Sequence, residues 1–596
     1  LFQQLSDDLQ VLRQNLARQE RGIDRSELDS ITADLQQLQL SLAALESLNF
    51  DERLQGLEQR TAGNPIGVED AIAPLRTDLN QLRNDLHQLQ EEVARLRVLL
   101  REAPSTATVS PPYGVGPELP RETTPAPEFQ WQPPQLPSNQ DFDLELNLGI
   151  DFGTGFTKVC FRSLDNNYSE IVTFSGEDSE VHLEQALLSS KIAILEDGTL
   201  MTGLTAAEWA SVDQPVQKTI EFIKMRLAHL DLPEDGDWRL ERIPELDDSE
   251  TVENLCAHYL SKVITRAQDW IQNHRADLFK NQKARWSLSI GVPVQYYDSP
   301  ALIRFERVLS LAWLMANTSS SKEPLNIASL NHLGAYLRQW IQADLKEDLD
   351  CFTTPEISAA VWSFLSNRNI PERFYSVFDF GDGTLDGAAF RFWREEGEAR
   401  VDFYSGFVQP LGVTAFSQQA GQELDLPSPT IKQLILNWQS EADSHADQDE
   451  LETSNTRNQV QKLVGKVIHR GHQKHKDNRN ILHANDLGPQ LDVFLGGGGG
   501  QNPFFYETVY STYQDFGQDK TGIPPYKIKA IPIPPNIEMN GLDQKEFHRF
   551  SVAYGLCIPE WEGADFKLPS QVEKRESSVS RWSRKVARYE DTKDLM

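Results

Sequence analysis

Two stretches of the sequence place an aspartate directly before a glycine-rich turn. In the first, residues 146–159 read LNLGIDFGTGFTKV: an apolar strand ends at Asp151, and a second strand follows a turn of Gly153, Thr154 and Gly155. This pattern predicts a β-hairpin. Glycine lets the backbone N–H groups of such a tip approach phosphate oxygens, and the aspartate can hold Mg²⁺ directly or through water. A plain turn has the same pattern, so this stretch alone leaves both interpretations open.

The second stretch repeats the arrangement. Residues 375–390 read YSVFDFGDGTLDGAAF, with Asp379 in an apolar strand and a tip that contains Gly381, Gly383 and Thr384. Two such hairpins, far apart in the chain, indicate two related lobes that face one another. Each lobe would then offer a phosphate-binding loop and an acid. A nucleotide between the lobes is the interpretation that uses both hairpins.

The two hairpins resemble the phosphate motifs of the actin-like ATPases, most closely those in the nucleotide-binding domain of the seventy-kilodalton heat-shock (DnaK-like) chaperones. Three further segments are similar to that family in the same order: WSLSIGVPV at 286–294, PEISAAVWSFL at 355–365 and SVAYGLC at 551–557. The resemblance spans residues 144–561. It implies an α/β fold with two lobes of ribonuclease-H-like topology and with ATP and Mg²⁺ in the cleft between them.

The resemblance also implies roles for charged residues. Lys224, in the predicted helix KTIEFIKMRL at 218–227, matches a lysine that reaches the γ-phosphate and helps to place the attacking water, with Lys218 as the reserve candidate. Glu356 matches a glutamate that polarises this water or relays a signal between domains. Asp151 and Asp379 would share the water shell of Mg²⁺. From the residues alone, Lys224 is also compatible with a solvated helix lysine, and Glu356 with a favourable charge at a helix start.

Two more features bear on the nucleotide. Residues 491–505, LDVFLGGGGGQNPFF, resemble the adenosine-binding motif, and Gly497 and Gly498 are the expected contacts with the nucleoside. Asp382, in the second hairpin, stands where the family usually has glycine. An additional carboxylate beside triphosphate oxygens repels them unless it turns outward or joins the cation shell. The resemblance therefore implies ATP binding more directly than hydrolysis.

Other segments flank this region. Residues 1–103 predict an all-α coiled coil of two helices with a break near 63–67, because apolar residues recur at alternating steps of three and four. The clearest seam is Ile72, Leu75, Leu79, Leu82, Leu86, Leu89, Val93 and Leu96. Residues 104–143 predict a proline-rich linker, 144–562 the ATPase domain and 563–596 a mixed-charge tail. The seam would serve self-association, a protein partner or an intramolecular helical hairpin.

The charge and composition of the chain disfavour some classes of binding partner. The formal net charge of −32, from 89 acidic and 57 basic residues, disfavours binding to nucleic acid or to an anionic membrane surface. No window approaches the roughly 20 apolar residues of a membrane helix. The chain begins at Leu1 without a methionine, so the possibility of an anchoring or targeting segment upstream stays open. Four widely spaced cysteines fit the reduced, buried thiols of a cytoplasmic protein.

These features lead to one main functional hypothesis and several alternatives. The main one is a DnaK-like nucleotide switch that binds ATP with Mg²⁺, hydrolyses it slowly to ADP and phosphate, and lacks the family's peptide-binding β-sandwich. Its coiled coil would report the nucleotide state to a partner or to another copy. The alternatives are an actin-like filament subunit, an ATP-binding pseudoenzyme scaffold and, less favoured, a sugar or acetate kinase.

Overall fold

The computed structural model describes residues 131–136, 144–176, 181–230, 243–280, 282–318, 323–341, 349–365, 370–438, 446–478, 487–559 and 561–572. The predicted coiled coil over 1–103, with its break near 63–67, lies outside these residues. So do most of the predicted linker over 104–143 and most of the predicted tail over 563–596. In the linker, Trp131 packs against the core beside the first sheet, and the Gln135 N–H donates to the Asn317 carbonyl at 2.9 Å.

The described chain is α/β. Its strands are β1 (Leu144–Asp151), β2 (Phe156–Ser163), β3 (Tyr168–Ile171), β4 (Leu188–Ser189), β5 (Ile192–Leu195), β6 (Leu200–Thr202), β7 (Val216–Ile220), β8 (Ala284–Val292), β9 (Cys351–Pro355), β10 (Arg373–Phe380), β11 (Leu385–Glu395), β12 (Glu398–Gln409), β13 (Leu491–Gly496), β14 (Tyr526–Ala530), β15 (Ile537–Glu538) and β16 (Asp565–Lys567).

Helices alternate with these strands, which is why parallel pairs can form. They are α1 (Ala206–Ala210), α2 (Ile223–His229), α3 (Ser249–His274), α4 (Val294–Tyr297), α5 (Leu302–Ala316), α6 (Ile327–Leu337), α7 (Glu356–Leu365), α8 (Val413–Leu424), α9 (Ser428–Leu436), α10 (Ala446–Thr453), α11 (Asn455–Asn478), α12 (Pro503–Asp515) and α13 (Ser551–Cys557). None of the described helices is long and apolar enough to cross a membrane.

Two large sheets share one strand order. The first runs β15-β3-β2-β1-β8-β9, with β4 also paired to β2, and the second runs β14-β13-β10-β11-β12-β16. In each sheet, three consecutive strands are antiparallel neighbours, and the first of them continues into two parallel strands: β1 into β8 and β9, and β10 into β13 and β14. The chain therefore contains the same arrangement twice. A small third sheet has the order β6-β5-β7.

The central strands are apolar because helices cover both faces of their sheets. β1 is buried at all but one of its residues, and β13 is buried throughout. α3 and α5 contribute to the core beside the first sheet, whereas α8, α11 and α12 contribute to the core beside the second. These packed cores hold the strand ends in place, and the candidate site lies at those ends.

Helices α7 and α13 join the two sheets through a shared core. They cross where Gly555 lies directly on the backbone of Ala359, so closely that a Cβ at position 555 would overlap it. Gly149 of β1 lies in the same way on the backbone of α13, and Asn147 Nδ2 donates to the Cys557 carbonyl at 2.9 Å. Glycine is required at both crossings because any side chain would push the helix away.

Several local predictions can be compared with the fold. Residues 192–201, IAILEDGTLM, predict two short strands around a turn at Asp197 and Gly198, and these strands are present as β5 and β6. The helix predicted over 218–227 begins later, at Ile223, because residues 216–220 pair with β5 as strand β7. The second sheet extends beyond the predicted domain boundary at 562, since β16 pairs with β12. All four cysteines are buried and free, as expected.

Candidate functional site

The two predicted hairpins form at the carboxyl-terminal edges of the two large sheets. The first hairpin consists of β1 and β2, and the second of β10 and β11. Parallel strands end at a common edge, so Asp151 at the end of β1 lies on the same side as Glu356, which directly follows β9. In the second sheet, Asp379 is the register partner of Gly496 at the end of β13. The folding of each sheet thus gathers residues from distant parts of the chain.

The tips of the two hairpins touch. A Cβ at Gly155 would overlap the side chain of Asp382, and a Cβ at Gly383 would overlap the Cγ2 methyl of Thr154. Contacts of this closeness need glycine on one side of each pair. The second tip is closed by a hydrogen bond from the Gly381 N–H to the Thr384 carbonyl at 2.9 Å. The two sheets therefore meet at the residues predicted to bind phosphate.

A cavity of about 190 Å³ lies beside the touching tips. Five carboxylates face it, from Asp151, Glu356, Asp379, Asp382 and Asp386. Four cationic side chains face it as well, from Lys158, Lys224, Lys432 and Arg549. Ten of the twelve residues predicted for the site line it: Asp151, Gly153, Thr154, Gly155, Lys224, Glu356, Asp379, Gly381, Thr384 and Gly498. The concentration of charge in this cavity fits an ionic ligand.

Lys224 and Glu356 form a buried ion pair in which Lys224 Nζ donates to Glu356 Oε1. The two residues are only 5% and 4% exposed. Burial by itself lowers the pKa of Lys224, but the carboxylates of Glu356, Asp386 and Asp151 outweigh it and raise the pKa above its ordinary value. The protonated form of the lysine is therefore favoured. The side chain of Glu356 lies against Gly291 of β8, where a Cβ would overlap it.

The first hairpin carries a second cation. Lys158 is the cross-strand partner of Asp151, and Lys158 Nζ donates to Asp151 Oδ2 at 2.9 Å. Both side chains are mostly buried, at 15% and 9% exposure, and both face the cavity. A charge-assisted hydrogen bond of this length orients the carboxylate.

The second hairpin has a different pair at the equivalent register. Asp379 is opposite Asp386, so two carboxylates face each other across the strands. Burial, together with the charge of Asp151, raises the pKa of Asp379 to about 7. Burial and Glu356 also raise the pKa of Asp386 well above its ordinary value. Like charges on register partners are unfavourable, so this position favours a protonated carboxyl group or a bound cation.

The remaining predicted residues lie outside this cavity. Gly383 lines a larger neighbouring cavity of about 990 Å³. Gly497 has a φ of +74°, and a Cβ there would overlap Asp379, so this glycine packs under the carboxylate. Lys218, the reserve candidate, lies on β7, where its Nζ is 3.2 Å from Glu245 Oε2. Lys224 is therefore the lysine of that segment which reaches the site.

The sequence analysis missed three cations of the cavity. Lys158 is the register partner of Asp151, but β2 already begins at Phe156, so the length of the tip alone does not identify it. Lys432 comes from α9, and Arg549 is the last residue of a short 3-10 helix and lies next to Gly498. No local pattern marks these two residues, since only the folding of the second sheet's helices brings them to the cavity.

The carboxylates can be tested against the chemistry of a divalent cation. Oxygen donors suit Mg²⁺, which keeps several of its waters when proteins bind it. Within the described residues, no group of three or more His, Cys, Asp and Glu side chains is arranged to hold a metal ion. Asp151 and Asp379 both face the cavity and are oxygen donors of the type that suits Mg²⁺.

Comparisons with known proteins do not identify a function for this chain, so the geometry of the site is the basis for proposing one. The chain matches no protein-family model and no curated protein sequence.

Proposed function

We propose that this protein is an ATP-binding nucleotide switch of the actin-like, DnaK-like class, and that it hydrolyses ATP slowly. In this proposal each large sheet with its helices is one lobe of ribonuclease-H-like topology. The observation that carries the proposal is the meeting of two equivalent hairpins, one from each repeated sheet, beside a cavity lined by Asp151, Asp379 and the Lys224–Glu356 pair.

The residues suit the binding of a nucleotide phosphate chain. The backbone N–H groups of the two glycine-rich tips are donors for phosphate oxygens. Lys158 and Lys224 add positive charge from the first sheet's side of the cavity, where little water screens it. Gly498, at the end of the glycine run after β13, offers backbone for the nucleoside. A bound Mg²⁺ would neutralise phosphate charge, with Asp151 and Asp379 holding its waters.

Hydrolysis requires a positioned water and a stabilised developing charge. In this proposal Lys224, which lines the cavity, is the cation that stabilises charge on the terminal phosphate. Glu356, held in place by Lys224 Nζ and by contact with Gly291, is the carboxylate available to orient a water. The pair would therefore act as a unit. The coiled coil predicted over 1–103 would pass the nucleotide state to a protein partner or to another copy of the chain.

The test is phosphate release from ATP with Mg²⁺, together with ATP affinity, for the wild type and Lys224→Ala. Lys527→Ala is the matched control, because Lys527 is exposed on β14 and away from the cavity. We expect turnover in the wild type and in the control, and ATP binding with turnover at least 100-fold lower in Lys224→Ala. Tight binding with no turnover in the wild type would indicate a pseudoenzyme scaffold, and absence of ATP binding would refute the proposal.

A further inference from the structure

Asp382 at the tip of the second hairpin is held by helices of its own sheet. Thr414 Oγ1 donates to Asp382 Oδ1 at 2.6 Å, and the Thr414 N–H donates to the Asp382 carbonyl at 2.7 Å. Lys432 Nζ lies 3.9 Å from the same Oδ1 and donates to Thr414 Oγ1 at 3.2 Å. The carboxylate thus has a cationic partner and an anchored position.

The other side of this carboxylate lies on the first hairpin. Asp382 Oδ2, Cγ and Cβ all crowd Gly155, so closely that a Cβ at position 155 would overlap them. Gly155 belongs to the tip whose amides are the expected phosphate donors. Turning outward is one way for this carboxylate to avoid repelling phosphate, but the Asp382 side chain lies against Gly155 and faces the cavity.

The Asp382 carboxylate and a phosphate bound at this tip would repel one another, since both are anions. The binding of a nucleotide would therefore displace the Asp382 side chain from Gly155. Lys432 then loses the only acidic partner within 4 Å that its described surroundings provide. Its side chain is 44% exposed and lines the same cavity, so Lys432 is free to accept phosphate as a new partner.

We propose that Asp382 and Lys432 form a counter-ion pair that the terminal phosphates of the nucleotide separate. The Asp382 carboxylate competes with the phosphate for Lys432. When the Asp382 side chain is displaced, Lys432 binds the phosphate instead. This inference rests on the proposed function, because it concerns the same nucleotide site. It adds two residues that set how tightly the site holds ATP compared with nucleotides of lower charge.

The substitution Asp382→Asn separates charge from structure. Asparagine keeps the size of the side chain and an oxygen that can accept from Thr414, but it has no negative charge. We expect Asp382→Asn to bind ATP with Mg²⁺ about tenfold more tightly than the wild type, by calorimetry on the full chain. The gain should shrink for ADP and disappear for AMP, since AMP lacks the terminal phosphates. Asp447→Asn is the matched control, because Asp447 is exposed on α10.

Lys432 provides the second arm of the experiment. We expect Lys432→Ala to weaken ATP binding about threefold in the wild type but about tenfold in the Asp382→Asn background, where Lys432 has no competing partner. Lys432→Arg should restore binding, and Lys527→Ala should leave it unchanged. A purely structural Asp382 would give equal losses in both backgrounds and equal affinities for Asp382→Asn and the wild type, which would overturn the inference while ATP binding stands. Failure of both proteins to bind ATP would instead overturn the proposed function.

Discussion

Lys224 and Glu356 are 132 positions apart in the sequence, yet their side chains form a buried ion pair. The pair connects the start of α2 to the start of α7, which directly follows the edge strand β9 of the first sheet. Each charge offsets part of the cost of burying the other. Each residue is therefore needed for the stability of the site as well as for any chemistry there.

This pair predicts a non-additive effect on stability. Lys224→Met leaves Glu356 buried without its cation, which typically costs about 3–5 kcal/mol. Adding Glu356→Gln removes the buried charge, so the double variant should be more stable than Lys224→Met alone. Urea unfolding of the three proteins measures the difference. Equal stability of the single and double variants would mean that Glu356 does not depend on Lys224.

A second prediction concerns the contact between the hairpin tips. Gly383→Ala places a methyl group against the Cγ2 of Thr154, so the tips must separate and overpacking should cost about 1–3 kcal/mol. Thr154→Ser removes that methyl and keeps the hydroxyl. The double variant should therefore recover most of the stability lost by Gly383→Ala, as measured by thermal unfolding.

Gly176→Ala is the control for this experiment, because the space around a Cβ at Gly176 is open. It should unfold like the wild type. If Gly383→Ala is as stable as the wild type, or if Thr154→Ser gives no recovery, the tips do not touch in the folded protein.

The hairpins show how much of the site was predictable. The signals for Asp151 with Gly153 and for Asp379 with Gly381 are local, because a strand, an acid and a glycine turn are adjacent in sequence. These features depend only on neighbouring residues. The position of Lys158 does not follow from them, because Lys158 pairs with Asp151 although β2 begins at Phe156.

The rest of the site depends on tertiary packing. Spacing could not predict the contact of Lys224 with Glu356 or the arrival of Lys432 and Arg549 at the cavity. The start of α2 was predicted too early, because 216–220 contains residues compatible with a helix that instead pair with β5. Strand β16 is only three residues long and carries no recognisable pattern of its own.

A third prediction tests the crossing of α7 and α13 without any nucleotide. Gly555→Ala forces a methyl group into the backbone of Ala359, which cannot move aside as a flexible side chain could. We expect a loss of at least about 1–3 kcal/mol in the free energy of unfolding. Denaturant unfolding is the measurement, again with Gly176→Ala as the unaffected control. A stable Gly555→Ala protein would show that the two helices cross farther apart.

The fourth prediction concerns pH. Burial, with the charge of Asp151, raises the pKa of Asp379 from its ordinary value of 3.8 to about 7. Between these values the folded chain holds a proton that the unfolded chain has released. The stabilising contribution of this proton is complete below about pH 4 and is lost as the pH rises through about 7. The slope is at most about 1.4 kcal/mol per pH unit.

Asp379→Asn cannot titrate, so its stability should fall less steeply than that of the wild type between pH 4 and 7. Urea unfolding at several pH values, with a chelator present to remove divalent cations, measures both slopes. The comparison uses the difference between the two proteins because other groups titrate in the same range. One of these groups is His258, because burial lowers its pKa to about 3. Its contribution to stability therefore increases with pH over this range, and this contribution is common to both proteins. If stability changes with pH at the same rate in both proteins, Asp379 is ionised in the folded chain at pH 5. In that case Lys158 and Lys224 together compensate the charges of Asp151 and Asp379.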